Sequence, residues 1–176
     1  MNRLFVAIDL PEDIRRQILD VRTDSPGFRW VPEHQLHITL RFIGDADQEL
    51  EQKIIERLAM VYTRHFDLNL RAIGHFPPRG LPRVLWLGIE APPDMLSLQE
   101  AVEKACVSAG VLPEERSFSP HLTIARLKEV PPETVREFEA RNTGFHAGPI
   151  AITAFHLYAS SLTQQGAIHR KVKTFS

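Results

Sequence analysis

The tetrad His37-Ile38-Thr39-Leu40 returns as His121-Leu122-Thr123-Ile124, 84 positions later (121 minus 37). Each copy lies in a run that alternates apolar and polar residues, which predicts a β-strand, and on a strand residues two apart point to the same side. Two strands are thus expected, each with an imidazole and a hydroxyl on one face and apolar packing residues on the other. The chain has eight His and nine Thr in 176 residues. Random placement then yields roughly 0.4 His-x-Thr and, with apolar residues at the other two positions, about 0.08. Agreement at four positions points to a repeated unit with a shared site.

Strand parity extends each motif. On the first strand His37, Thr39 and Arg41 fall on one face, with Ile38, Leu40 and Phe42 on the other. On the second, Arg126 falls on the apolar side with Leu122 and Ile124 unless the strand bulges near Ala125.

The rest of the chain alternates strand and helix patterns. Strands are expected at 3–10, 36–43, 66–73, 84–90, 120–127, 150–160 and 167–175; helices are expected at 11–21, 47–65, 95–109 and 131–141. Pro11 opens the first helix, and Gly110 ends the third. No linker stands out, so residues 1–176 are expected to form a single domain of two pseudo-symmetric lobes. The fold class is α+β: two antiparallel sheets facing each other across a central groove, with the motif strands lining it and the helices outside.

Composition narrows the function class. Net charge is −1, with 21 basic residues against 22 acidic ones, so no broad basic face is implied and any nucleic-acid contact should be local. Cys106 is the only cysteine, which excludes an internal disulfide and suits a reducing compartment; its Ala and Val neighbours assign it to packing. No apolar run approaches the ~20 residues needed to cross a membrane. The amino terminus enters strand sequence without signal-peptide character, so the expected location is the cytoplasm.

Paired histidines suit acid-base chemistry at phosphorus. Imidazole has an ordinary pKa of about 6.5, so one copy can accept a proton while the other donates one. A Thr beside each can hydrogen-bond a non-bridging phosphate oxygen from a stiff rotamer. Phe5 and Trp30 are candidates for stacking on a base, although such residues more often fill cores. His34 and His37 have His-x-x-His spacing, but no Cys or acidic residue lies at ligand spacing, and no metal or other cofactor is expected. Asp45-Ala46-Asp47 lacks the rest of a calcium loop and reads as a helix-capping turn.

The tetrads resemble those of the 2H phosphoesterases, and the surrounding sequence is similar to the LigT-like RNA 2′,3′-cyclic phosphodiesterase branch. The similarity extends to Arg3–Pro11, Leu36–Gly44, Phe118–Arg126 and Leu157–Leu162. The resemblance implies metal-free hydrolysis of the 3′ ester of a terminal 2′,3′-cyclic phosphate to a 2′-phosphate, and reversible 2′-5′ RNA ligation. It implies His37 as proton donor and His121 as acceptor; the residues alone do not order the two. It adds Arg126 to Thr39 and Thr123 as phosphate ligands, with weaker support for Arg41, and His169 stands where many relatives carry an aromatic. The expected partner is an RNA or oligonucleotide with a 2′,3′-cyclic phosphate end, met by a monomer. Another 2H substrate class, a 2′-5′ oligonucleotide or an ADP-ribose cyclic phosphate, would use the same four residues. A nucleotide-binding module without turnover is the non-enzymatic alternative.

Overall fold

A computed structural model describes residues 2–164 and 166–176. Among them the order is β1 (Asn2–Asp9), α1 (Glu12–Leu19), β2 (Phe28–Trp30), a 3₁₀ turn (Glu33–Gln35), β3 (His37–Ala46) and α2 (Gln48–Leu58). Then follow β4 (Phe66–Phe76), β5 (Val84–Glu90), α3 (Pro93–Ala109), β6 (His121–Leu127), α4 (Pro132–Arg141), β7 (His146–Ile152), β8 (Phe155–Thr163) and β9 (Gly166–Phe175). The strands pair antiparallel in two sheets, ordered β3-β1-β8-β9 and β2-β6-β5-β4-β7. The expected α+β architecture is therefore present, and the two motif strands β3 and β6 pack against each other where the sheets meet.

Local chemistry explains the helix limits. Asp47 caps α2 by accepting from the Leu50 amide at 2.8 Å, which satisfies one of the free first-turn donors. Ile54 and Leu58 bury its inner face, and the helix stops at Leu58, short of the expected His65. α3 ends on Gly110 at φ 109°, a left-handed cap that a β-carbon would disfavour. Its buried face carries Met95, Leu98, Val102, Ala105, Cys106 and Ala109, so Cys106 does fill the core, and burial pushes its thiol up to about 12. α2 and α3 lie on β3 of the first sheet, whereas α1 contacts β7 and α4 contacts β4 of the second. No helix among the described residues is long and apolar enough to cross a membrane.

Two expectations on strands need correction. The stretch 150–160 is not one strand; it breaks at Thr153-Ala154 into β7 and β8, which belong to different sheets. β2 was not expected, because three residues pairing only with β6 are too few to produce an alternating pattern.

Both motif strands bulge at the same place. Ala7 pairs with Thr39 and Val6 with Arg41, leaving Leu40 as the extra residue. Trp86 pairs with Thr123 and Leu85 with Ala125, leaving Ile124 as the extra residue. A bulge shifts the side-chain alternation by one. Leu40 and Arg41 are consequently both buried, as are Ile124 and Ala125, and the next outward residues are Phe42 and Arg126.

Arg41 therefore does not share the face of His37 and Thr39, and its assignment as a phosphate ligand is corrected. Its side chain is only 6 % exposed. Nε approaches Glu103 Oε2 at 2.5 Å in an ion pair, and Nη1 lies 3.1 Å from Glu114 Oε2. Nη1 and Nη2 donate to the carbonyls of Phe42 at 2.9 Å and Leu112 at 2.6 Å. Arg41 thus ties the back of β3 to α3 and to the segment that leads into β6.

Candidate active site

Each motif histidine is oriented by the carbonyl two residues before it. His37 Nδ1 lies 2.7 Å from Gln35 O and His121 Nδ1 lies 2.7 Å from Ser119 O. A carbonyl only accepts, so each Nδ1 carries hydrogen and, in the neutral ring, each Nε2 keeps its lone pair. The two rings are thereby set in the same tautomer. Thr39 and Thr123, partly exposed one alternation further along, sit beside them on the same strand faces.

The surroundings of the two rings differ. His37 stacks on Phe5 with centroids 4.8 Å apart, and Phe5 stacks in turn on Tyr158 at 5.2 Å. His169 meets His37 edge-on at 5.5 Å and Phe5 at 5.0 Å. Burial lowers the His37 pKa; the Gln35 carbonyl opposes the shift, His169 adds to it, and Asp9 opposes it. His121 has a lighter wall, the edge of Phe76 at 5.1 Å, with Trp86 a further 5.4 Å from Phe76. Trp86 lies over Gly74, where a β-carbon would come within 2.3 Å of its ring, so this packing requires glycine.

Behind His37 lies a polar hub. Asp9, opposite His37 in the sheet, accepts from Tyr158 Oη at 2.5 Å and Lys171 Nζ at 2.6 Å, with His156 Nε2 at 3.4 Å. Burial works to raise the Asp9 carboxyl, but the bonds from Lys171 and Tyr158 and the nearby His156 outweigh it and hold the pKa below its ordinary value. Burial and the bond to Asp9 raise the Tyr158 phenol, so it stays protonated as a donor.

Of the residues singled out from sequence, His37 and Thr39 share a face of β3 and His121 and Thr123 a face of β6, the two strands are in contact, and the bulge at Ile124 carries exposed Arg126 to the same side as Thr123. Phe5 is beside His37 but only 4 % exposed, so it is a floor for the imidazole and not a base platform. Trp30 faces the opposite side of its sheet. It packs on Phe28 at 5.7 Å and Phe138 at 5.8 Å and donates its indole N–H to Thr23 O at 2.9 Å. Sequence reasoning did not assign Asp9, Phe76 or Trp86 to the site, and it left His169 without a role. Among the described residues no three His, Cys, Asp or Glu side chains gather as a metal site.

Two motif strands in contact, each carrying an imidazole and a hydroxyl on one face, are the arrangement of a 2H phosphoesterase. Residues 10–161 match the model of the 2′-5′ RNA ligase superfamily, and the chain belongs to that family. It is 32 % identical over 176 residues to an RNA 2′,3′-cyclic phosphodiesterase of Archaeoglobus fulgidus, covering 98 % of this chain and 99 % of the relative. An RNA 2′,3′-cyclic phosphodiesterase of Escherichia coli K12 is 33 % identical over 171 residues, covering 93 % of this chain and 89 % of that one. The crystal structure of E. coli LigT complexed with 3′-AMP superposes with a TM-score of 0.80 at 28 % identity, over 99 % of this chain and 97 % of that one.

Proposed function

We propose that this protein is an RNA 2′,3′-cyclic phosphodiesterase that opens the 3′ ester of a terminal cyclic phosphate by acid-base catalysis from two histidines. The observation that supports this most directly is the matched pair of imidazoles, each with Nδ1 engaged by a carbonyl at 2.7 Å and Nε2 left for substrate. Binding alone needs no such pair of titrating groups.

In the proposed step the phosphorus lies between the two imidazoles. His121 Nε2 removes a proton from water, the water oxygen bonds to phosphorus, and the P–O3′ bond breaks as His37 Nε2 protonates the departing oxygen. The product carries a 2′-phosphate and a free 3′-hydroxyl, and proton exchange with solvent resets the histidines. Thr39 and Thr123 donate to the non-bridging oxygens, and the Arg126 guanidinium compensates the charge that builds on them. Replacing the water by the 5′-hydroxyl of a second RNA turns the same step into 2′-5′ ligation.

The acid role of His37 fits its setting only with substrate present. Burial favours the neutral ring in the free protein, and an anionic phosphate beside Nε2 restores the proton that the leaving group needs. Turnover of a short RNA ending in 2′,3′-cyclic phosphate tests the proposal. His37→Ala and His121→Ala should each lower it by roughly 10²–10⁴-fold while the protein stays folded. Wild-type turnover in a folded His121→Ala protein would overturn it.

A further inference from the structure

We propose that Arg29, the ladder neighbour of Arg126, forms a subsite for the phosphodiester that precedes the terminal nucleotide of an RNA substrate; this rests on the function proposed above, in which Arg126 serves the cyclic phosphate. The two arginines are direct partners in the β2–β6 ladder. Opposed residues on antiparallel strands hold their β-carbons about 4.5–5.5 Å apart, and like charges in that position repel. Neither side chain has a carboxylate partner among the described residues, and both are exposed. By contrast, Arg71 of the same sheet is neutralised by Glu90 at 3.0 Å. Two uncompensated guanidiniums on one face are relieved when each grips an anion, Arg126 the cyclic phosphate and Arg29 the phosphodiester next to it.

The face is that of the site. The Ile124 bulge turns Arg126 to the side of Thr123, and Arg29, as its ladder partner between inward Phe28 and Trp30, projects the same way. Arg29 is one strand spacing, about 4.8 Å, beyond β6. β2 is the edge of its sheet, so no further strand flanks Arg29 on its outer side. The backbone of Arg83 binds Phe76 O at 2.8 Å and the Leu127 amide at 2.8 Å, placing a third arginine at this end. The overall charge of −1 makes the concentration local. With the cyclic phosphate between His37 and His121, the next negative charge of an RNA is the phosphodiester on the 5′ side of the terminal nucleoside. A nucleoside 2′,3′-cyclic phosphate has no such group.

The two substrates therefore separate the subsite from the catalytic centre. In Arg29→Ala, kcat/KM for an oligonucleotide ending in 2′,3′-cyclic phosphate should fall roughly tenfold relative to that for the mononucleotide, and Arg29→Glu should fall further. The slope of log kcat/KM against log salt for the oligonucleotide should flatten by about 0.7, the loss of one single-strand phosphate contact. Equal losses on both substrates, or none on either, would overturn the subsite. Calorimetric binding of a dinucleotide ending in 2′-phosphate, compared with a nucleoside 2′-phosphate, asks the same question without turnover. Inactivity of the wild-type protein on both cyclic substrates would sink the proposed function, while the affinity ratio would still decide the role of Arg29.

Discussion

Arg41→Met tests whether the cation behind β3 is a structural clamp. The guanidinium is 6 % exposed and faces two carboxylates and two carbonyls, at 2.5 and 3.1 Å to Glu103 and Glu114 and at 2.9 and 2.6 Å to Phe42 O and Leu112 O. Methionine keeps the apolar stem but leaves the carboxylates facing each other unneutralised. Removing one partner of a buried ion pair costs about 3–5 kcal/mol. Glu103 and Glu114 are 23 % and 42 % exposed, so water reaches them. The loss should then sit at the lower end, about 3 kcal/mol. For a domain of this length each 1 kcal/mol moves Tm by about 2–4 °C, giving a fall of about 6–12 °C. Urea and thermal unfolding followed by circular dichroism measure it, and adding Glu103→Gln should return about 1 kcal/mol or more by removing the stranded charge. The segment freed from Arg41 runs from Leu112 to Ser119, whose carbonyl orients His121. Turnover should consequently fall even well below the new Tm. A stability loss under about 1 kcal/mol would mark the pair as an ordinary surface contact and refute the clamp.

Three further outcomes follow from the site. The reaction should survive exhaustive EDTA treatment, because protons and hydrogen bonds do the work of a Lewis acid; activity lost on chelation and restored by one particular metal would overturn the mechanism. The pH behaviour follows from burial, which lowers the pKa values of His37, His156 and His169. A folded pKa below the unfolded value means that the unfolded chain binds more protons between the two, so stability should decline as pH falls through about 6.5 toward the folded values. Proton NMR should find His37 titrating below its ordinary value in the free protein and higher once a nucleoside 2′-phosphate is bound. A His37 that titrates at or above about 6.5 without ligand would contradict the packing on Phe5 and His169.

The shared strand faces of His37 with Thr39 and of His121 with Thr123 were legible because a period-two pattern fixes which residues lie on one side, and the repetition marked both strands. The bulges were legible only in part. Arg126 broke parity on β6 and so announced an extra residue, whereas Arg41 fitted the parity of an unbroken β3 and was placed on the wrong face. The repeat held the correcting signal: at the same offset of 84, Arg41 matches Ala125, a core residue, and Phe42 matches Arg126. Trp30 was misplaced because its strand is three residues long, and its contacts with Phe28 and Phe138 depend on α4, far along the chain. Asp9, Phe76 and His169 carry no local signal, since long-range pairing alone brings them to the two imidazoles.

Phosphorus NMR of the product formed from an RNA 2′,3′-cyclic phosphate tests the central claim most directly. Base and acid on opposite sides of phosphorus let His37 reach only one of the two ring oxygens in a fixed ribose pose. Attack assisted by His121 with His37 at O3′ predicts a 2′-phosphate as the dominant product. A 3′-phosphate, or an equal mixture of the two isomers, would contradict the assignment of His37 as the acid facing O3′.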